Sequence, residues 1–263
     1  LEIESTGDTE TYDLADGLPQ MREWIGSRQV KNLKVWDYSL KNRDWELTIA
    51  VKANLFKDDR LNVIRPRFAA MGSAARAHPD KLFSELLTKA FTTGKGFDNV
   101  SFFNANHPLA AGVQSNLQSG ALDTTTFNAA IQKLRGMKNW DGEPIDPFAI
   151  GGQLTLIVGP ALESTARALL LAQQGASGAT NTDFNRAKLV VFSRLSGNAW
   201  FLGFAGGTLR PFLFQVRERP QVVARVQPGD DCVFNRNDVE YGCQGRWEMG
   251  YGLYQLCVGS TGS

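Results

Sequence analysis

One long stretch of helical periodicity constrains this chain more than any other feature. Between Leu61 and Phe91 apolar side chains recur at helical spacing, which predicts about thirty helical residues. At about 1.5 Å per residue such a helix is about 45 Å long, longer than a small domain is wide. Pro79 lies inside it, so we expect either a kink near His78 or two abutting helices. A helix of this length suits a flat, elongated subunit.

The segment from Met21 to Lys57 changes to a period of two, which is typical of strands with one apolar face. Trp36, Tyr38 and Leu40 share one parity. A second run does the same with Trp45, Leu47, Ile49 and Val51. We predict a long β-hairpin or ribbon. Because two strands alone are marginal in water, its aromatic face must lie on the body or on a neighbouring subunit. An ordinary hairpin within one domain is the alternative.

The first twenty residues, Leu1 to Gln20, are acidic and contain no basic residue. We interpret them as an arm that needs a partner to become ordered, with a frayed terminus as the alternative. The sequence begins at Leu1 rather than Met, so we expect that preceding residues were cleaved or lie outside this sequence.

The rest of the chain predicts a mixed α+β architecture. Thr93 to Ala121 is rich in Gly, Asn and Ser and predicts mostly loop. A short helix follows, with Asp123 or Thr124 as its cap and Gly136 as its end. The remaining predicted elements are a strand at Leu154–Val158, a helix through Gln173, a loop at Gly175–Thr182, and strands at Leu189–Phe192, Trp200–Phe204, Pro211–Val216, Gln221–Val226 and Arg246–Val258.

Composition excludes several classes of protein. Lys and Arg number 28 against 27 Asp and Glu, so the net charge of +1 argues against a dedicated nucleic-acid clamp. No apolar run is long enough to span a membrane and no signal peptide opens the chain, so we expect a soluble protein made in a cytoplasm. Cys232, Cys243 and Cys257 match no disulfide or zinc spacing, so we expect them reduced and packed.

The sequence contains no motif to which we assign a catalytic or metal-binding role. His78 and His107 each precede a proline, and we expect a helix-kink residue and a turn residue rather than ligands. No phosphate-binding glycine loop or nucleophile elbow occurs. The aspartate pairs at Asp58 and Asp230 are interpreted as solvated turns. We therefore predict no catalytic, cofactor-binding or metal-binding residue, and no cofactor. The remaining features concern contact surfaces.

Several ordered stretches carry a likeness that spans most of the chain and is weakest between about Leu109 and Ala187. These stretches are Leu18 to Arg28, Asn42 to Ile49, Pro66–Phe68 through Ala77–Asp80, Phe102–Phe103 ahead of His107–Pro108, Arg210–Phe212 with Phe214–Gln215, and Tyr241–Gly242 to Tyr251–Gly252 with Gln255. With these residues the chain resembles the major head subunit of Mu-like phages. Members of that family begin upstream of this Leu1, so the resemblance implies a missing N-terminal segment.

The resemblance implies the Hong Kong 97-type phage capsid fold. Residues 1–20 would be the N-arm, and residues 21–57 the E-loop with its flanking strands. Residues 58–153 and 209–248 would form the peripheral domain, with a spine helix at about 61–91. Residues 154–208 and 249–263 would form the axial domain.

The implied function is that of a major capsid protein of a tailed double-stranded DNA phage. Copies would assemble as hexamers and pentamers into the icosahedral head, in the virion, after synthesis in the bacterial host cytoplasm. Decoration, scaffold, portal and head-maturation protease proteins are further candidate partners, and packaged DNA would be contacted weakly and without specificity. No membrane partner is expected. An encapsulin-like compartment shell and a soluble enzyme with a scattered site are the alternatives.

Residues on the segment from Met21 to Lys57 and on the long helix are the candidates for contact between subunits. These candidates are Trp24, Arg28, Trp36, Tyr38, Trp45, Arg65 and Arg67. The arginines at Arg217, Arg219 and Arg225 predict rim contacts or ion pairs between subunits. Some members of the wider fold crosslink subunits through an E-loop lysine. Lys31 and Lys34 lie in the right region, but no partner asparagine is identified, so we assume noncovalent contacts.

Overall fold

The computed structural model describes residues 2–15, 35–58, 64–150, 152–174, 178–207 and 209–263. Within them the helices are α1 (Ala53–Lys57), α2 (Ile64–Lys89), α3 (Thr124–Arg135), α4 (Pro147–Ile150), α5 (Glu163–Leu171) and α6 (Asp231–Arg236). The strands are β1 (Glu2–Glu4), β2 (Thr9–Ala15), β3 (Val35–Lys41), β4 (Arg43–Lys52), β5 (His107–Pro108), β6 (Val113–Gln114), β7 (Leu117–Gln118), β8 (Gly152–Val158), β9 (Lys188–Val191), β10 (Trp200–Gly206), β11 (Phe212–Arg225), β12 (Asp238–Tyr251) and β13 (Cys257–Ser260).

The long helix α2 confirms the strongest sequence prediction. It runs for 26 residues, and Pro79 lies inside it without ending it. The alternative of two abutting helices is therefore wrong. Residues 61–63 of the predicted helix lie outside the described part of the chain. The helix packs on β12, where Leu82 of the helix forms a small core cluster with Val216 and Trp247.

A four-stranded sheet in the order β1-β11-β12-β4 carries this helix. Strand β12 is central and pairs antiparallel with β11 on one side and with β4 on the other. The sequence predicted two strands where β11 is one strand of 14 residues. Its register shifts between Val216 and Glu218 and again between Glu218 and Gln221. Pro220 lies in this irregular stretch, where its missing donor interrupts no regular pairing.

The second sheet, in the order β7-β13-β10-β8-β9, holds the main core. Strand β10 is buried at Trp200, Phe201 and Leu202, and helices α3 and α5 add their apolar faces to the same cluster. Helix α3 matches its prediction closely. Asp123 forms a capping box with Thr126, and Gly136 is the C-cap.

The predicted hairpin between the two alternating runs is wrong. Strand β3 pairs antiparallel with β2, whereas β4 pairs with β12. Only Asn42 separates β3 from β4, and one residue cannot reverse the chain into a hairpin. We call the pair of strands β2 and β3 the ribbon. Its alternation is as predicted, because Trp36, Tyr38 and Leu40 are half-buried or buried while the residues between them are exposed.

The acidic arm finds its partners in the same chain. Strand β1 pairs in parallel with Phe214–Val216 of β11, and β2 forms half of the ribbon. Both interpretations, an arm waiting for a partner and a frayed terminus, are therefore wrong for residues 2–15. The sequence could not reveal this because the partner strand β11 lies about two hundred residues away.

The prediction of His107 as a turn residue is wrong, because His107 is fully buried and lies in strand β5. Its Nδ1 lies 2.5 Å from Asp98 Oδ2, and its Nε2 lies 3.0 Å from Asn116 Oδ1. The ring stacks on Tyr254 at a centroid distance of 3.6 Å. Asn116 also donates to the carbonyls of Phe102 and Cys257. The turn follows His107, in the β5–β6 hairpin, and the buried cluster pins this loop to the C-terminal strand.

Two glycines near the ends of α2 have opposite spatial surroundings. A Cβ on Gly94 would lie 1.9 Å from Tyr251 Oη, which donates a hydrogen bond of 2.8 Å to the Leu86 carbonyl. A Cβ on Gly72, on the exposed side of the helix, would meet nothing within 4 Å. The first glycine is required by close approach, and the second is not.

We expect Gly94→Ala to lower the free energy of unfolding by about 1–3 kcal/mol, because the methyl group displaces the Tyr251 hydroxyl. Gly72→Ala is the matched control, and we expect it to raise the free energy of unfolding by about 0.5–1 kcal/mol through helix propensity. Urea unfolding of both variants measures this. A stabilising or neutral Gly94→Ala would show that Tyr251 does not occupy the described position.

Candidate assembly surfaces

Exposed apolar side chains concentrate at one end of the first sheet. At this end strands β4 and β11 finish and strand β12 begins, beside the short helices α1 and α6. The end carries six of the ten large exposed hydrophobic residues in the described part of the chain. We call these six the apolar tip: Leu47, Leu55, Val222, Val223, Val226 and Phe234. Phe234 is 79% exposed and Val222 is 68% exposed. Successive strand residues point to opposite faces, so Val222 and Val223 expose apolar side chains on both faces of the sheet at this end.

Local chemistry holds the apolar tip in place. Asp230 accepts a hydrogen bond from the backbone N–H of Gln227 and so closes the turn that precedes α6. Asn237 ends α6 in the left-handed region, with a φ of 54°. The Ala53 N–H then donates to the Asn237 carbonyl, which joins α1 to the end of α6. The aspartate predicted to be a turn residue therefore presents Phe234 to solvent.

Both long edges of the sheet near the apolar tip are open. Strand β1 borders β11 only at Phe214–Val216, so Gln221–Arg225 has no partner on that side among the described residues. Among the described residues, the outer edge of β4 also pairs with no other strand. Such edges carry free backbone donors and acceptors, to which another chain can add a strand. Charged residues along β4 keep this edge from pairing indiscriminately.

Of the three arginines predicted to pair between subunits, Arg219 forms an ion pair within the chain and Arg217 forms a hydrogen bond within it, while contact between subunits stays a prediction for Arg225. Arg246, which was not among them, also forms an ion pair within the chain. Arg219 lies 2.7 Å from Glu2 of β1, and Arg246 lies 3.0 Å from Asp8. Arg217 donates to the Ser5 carbonyl. The pair of Arg219 with Glu2 is largely exposed, so it stabilises the strand only weakly. Together, Arg217 and Arg219 place basic side chains of β11 beside the acidic strand β1.

The candidate contact residues have different outcomes. Trp24 and Arg28 lie outside the described residues. The backbone of Arg65 belongs to α2, and Arg67 is exposed on the same helix. For these four residues, contact with another subunit stays a prediction.

Trp36 and Tyr38 pack on the body of their own chain. The Trp36 ring lies 5.8 Å from Phe97 and 5.4 Å from Trp140, measured between centroids. The Tyr38 hydroxyl accepts a hydrogen bond of 3.1 Å from the Tyr251 N–H. Of the two positions that the sequence allowed for these rings, the body or a neighbouring subunit, the described contacts lie on the body. Both rings are only half-buried, so contact of their exposed parts with another subunit stays a prediction.

Trp45 belongs to a cluster that joins β4, β12 and α2. Its Nε1 donates to the Trp247 carbonyl, and its ring lies 4.3 Å from the His78 ring. Trp247 Nε1 donates to His78 Nδ1 over 3.2 Å. His78 therefore connects the helix to the central strand at the position next to Pro79. The sequence prediction of a polar residue at a helix kink did not include this contact.

The hydrogen bond from Trp247 requires a neutral His78, because a protonated Nδ1 cannot accept. Burial lowers the pKa of His78, and the positive charges of Lys81 and Arg194 lower it further, while Glu85 opposes them. The folded chain therefore takes up this proton at a lower pH than the unfolded chain. The stabilisation is fully present above about pH 6.5, the ordinary histidine value, and is lost as the pH falls below it, through the lower pKa that His78 has in the folded chain.

We expect the free energy of unfolding to fall between about pH 8 and about pH 5, and His78→Asn to reduce that fall. The asparagine Oδ1 can accept the Trp247 N–H and does not titrate. Urea unfolding of both proteins at both pH values measures the difference. An equal loss of stability in the two proteins would contradict the role of His78.

The described residues give no candidate for a metal site. They contain no group of three or more His, Cys, Asp or Glu that could hold a metal ion. An apolar cavity of about 250 Å³ lies between the two sheets, and Arg210 is the one charged side chain among its described lining residues. Cys257 also lines it, and burial raises the pKa of its thiol. All three cysteines are free and buried. Among the described helices, none has the length and apolar character of a membrane span.

Comparison with known protein families covers the whole chain. The model described as "Mu-like prophage major head subunit gpT" matches residues 1–127, 113–195 and 191–263. The major capsid protein of Escherichia phage Mu is 25% identical over 260 residues, which cover 99% of this chain and 64% of that protein. The Mu-like prophage FluMu major head subunit of Haemophilus influenzae is 22% identical, with 97% and 62% covered. The chain spans less than two thirds of the length of these curated relatives.

Solved structures give the same result for the fold. The capsid of bacteriophage JBD30 superposes with a TM-score of 0.59 at 18% identity, covering 98% of this chain and 61% of that one. A structure of that capsid decorated with minor capsid protein trimers gives a TM-score of 0.60 at 24% identity, with 74% and 88% covered. The fold is the Hong Kong 97-type capsid fold, as the sequence resemblance implied.

Proposed function

Since the chain belongs to the Mu-like prophage major head subunit family, we propose that it is the shell-forming part of a phage major capsid protein. Copies associate as hexamers and pentamers and close into an icosahedral head around double-stranded DNA. The observation that carries this proposal is the apolar tip, because six of the ten large hydrophobic side chains exposed in the described part of the chain lie at one end of the first sheet. A closed shell gives each copy neighbours that can cover such a patch.

The two sheets support a division of the subunit into the parts that the fold implies. The peripheral domain, at 58–153 and 209–248, holds α2 and most of the first sheet. The axial domain, at 154–208 and 249–263, holds most of the second sheet. Residues 1–20 and 21–57 were assigned to the N-arm and the E-loop. Since β2 and β3 form one ribbon around residues 16–34, we propose 9–41 as the better boundary of the E-loop.

The partners follow from the shell. The first partner is another copy of the chain. A decoration protein is a second candidate, because the JBD30 capsid carries minor capsid protein trimers and this chain shares its fold. Scaffold, portal and maturation protease proteins, and weak contact with packaged DNA, remain proposals. We place the protein in the virion after assembly in the cytoplasm of a bacterial host. Contacts of this kind require no catalytic group, so we propose no enzymatic activity.

We expect Phe234→Ser to leave folding unchanged and to reduce particle assembly at least tenfold. The side chain is 79% exposed, so its removal costs the isolated subunit little, whereas a neighbour that covers it loses an apolar contact. Val113→Ser is the matched control, because Val113 is 60% exposed but lies on the β5–β6 hairpin, outside the tip.

Electron microscopy and sedimentation of the full protein, expressed with its assembly partners, measure particle yield. Far-UV circular dichroism and urea unfolding establish that each variant is folded. A normal yield of particles from Phe234→Ser would show that the apolar tip takes no part in the assembly contacts. A wild-type protein that stays monomeric under these conditions would contradict the proposed function itself.

A further inference from the structure

The ribbon lies on the body through one face. Along β3 the side chains of Trp36, Tyr38 and Leu40 turn inward, and along β2 Tyr12 does the same. The opposite face is exposed, and there Thr11 and Ser39 contact each other across the strands, with 3.2 Å between their hydroxyl oxygens. The ribbon therefore has an inner face that meets the body and an outer face that meets solvent.

A chain of hydrogen bonds joins the inner face to β11. The Tyr12 hydroxyl donates to Gln215 Oε1 over 2.7 Å. The Gln215 Nε2 donates back to the Leu40 carbonyl over 3.3 Å. Gln215 is fully buried, so its amide has no water to replace either partner. One glutamine of the first sheet thus holds both strands of the ribbon, β2 through Tyr12 and β3 through Leu40.

A second bond joins the inner face to β12. The Tyr38 hydroxyl accepts from the Tyr251 N–H over 3.1 Å. Gly250 makes this approach possible, because a Cβ there would lie 3.0 Å from Tyr38 Oη and 3.1 Å from Leu40 Cδ2. Successive side chains of β12 point to opposite faces. The position of Gly250 therefore faces the ribbon, while the Tyr251 side chain bonds to helix α2 through the Leu86 carbonyl.

The two tyrosines stand directly opposite each other on the two strands of the ribbon. Their hydroxyls reach different strands of the first sheet, Tyr12 at β11 and Tyr38 at β12. Two directional bonds to two separate strands resist rotation of the ribbon, whereas apolar contacts alone tolerate sliding. Burial, with a smaller contribution from Glu10, raises the pKa of Tyr12 to about 12, so its hydroxyl keeps its proton at neutral pH.

We propose that Tyr12 and Tyr38 are positioning residues, whose hydroxyl groups fix the orientation of the ribbon on the body of the subunit. The inference rests on the proposed function, since a fixed direction matters where the ribbon meets a neighbouring copy. The Tyr38 ring packs against the main core, and the two hydroxyls set the angle of the ribbon on the sheet.

The test removes the two hydroxyls and keeps the rings, in the double variant Tyr12→Phe with Tyr38→Phe. Spin labels are attached at Asp37→Cys, on the outer face of the ribbon, and at Asp80→Cys, on the exposed side of α2. The native cysteines are buried and leave these as the accessible thiols. Pulsed dipolar spectroscopy on the full protein measures the distance distribution between the labels. We expect its width to increase at least twofold in the double variant.

The matched control is Ser39→Ala, which removes one hydroxyl from the outer face of the same strand. We expect it to leave the distribution unchanged. Far-UV circular dichroism establishes that the variants are folded. Should the double variant not fold, Tyr12→Phe alone is measured in its place, with the same expected broadening. A distribution as narrow as the wild-type one, or equal broadening by Ser39→Ala, would overturn the proposal.

Particle assembly supplies the second measurement. Under conditions in which the wild-type protein forms particles, we expect the double variant to give particles of mixed diameter or a yield at least fivefold lower. Uniform particles at normal yield would overturn the link between ribbon direction and assembly. If the wild-type protein forms no particles, the proposed function fails, while the label distances still decide whether the hydroxyls position the ribbon.

Discussion

The packing of α2 on the central strand β12 is the contact on which the rest of the first sheet depends. Three successive turns of the helix take part: His78 accepts from Trp247, Leu82 packs on Trp247, and the Leu86 carbonyl accepts from Tyr251. Because β12 pairs with a strand on each side, fixing it fixes the sheet. The alternate positions of the same strand then face the ribbon. Strand β12 therefore positions the helix and, together with Gln215 of β11, the ribbon.

The sequence predicted the elements better than their partners. Helix α3 was predicted with both of its caps, because Asp123 and Gly136 act on backbone groups within one turn. The alternation of Trp36, Tyr38 and Leu40 was also correct, since it depends on strand geometry alone. The predicted partner of β3 was wrong, because strand pairing is decided by residues far away in sequence. The single residue Asn42 between β3 and β4 was the one local signal against a hairpin. Side-chain periodicity does not contain this signal, because it is the same whichever strand is the partner.

The candidate surface shows the same limit. Aromatic residues of the ribbon were chosen because a two-stranded element cannot cover its own face. The structure covers much of that face with Phe97, Trp140 and Tyr251, which no spacing rule connects to Trp36 or Tyr38. Phe234 was missed because it follows the turn at Asp230, where sequence reasoning expected solvated polar residues. A phenylalanine within a short helix bounded by turn residues was the available signal.

Magnitudes explain why such a subunit needs a shell rather than a single partner. Burying one exposed phenylalanine stabilises a contact by about 2–3 kcal/mol. Bringing two proteins together costs about 4–15 kcal/mol in lost freedom of motion. Phe234 alone therefore cannot hold two copies together, and the open strand edges beside it are needed as well. In a closed shell each copy makes several such contacts at once, so leaving requires that all of them break together. Weak single contacts allow a misplaced copy to leave early in assembly, while the completed shell is held by their number.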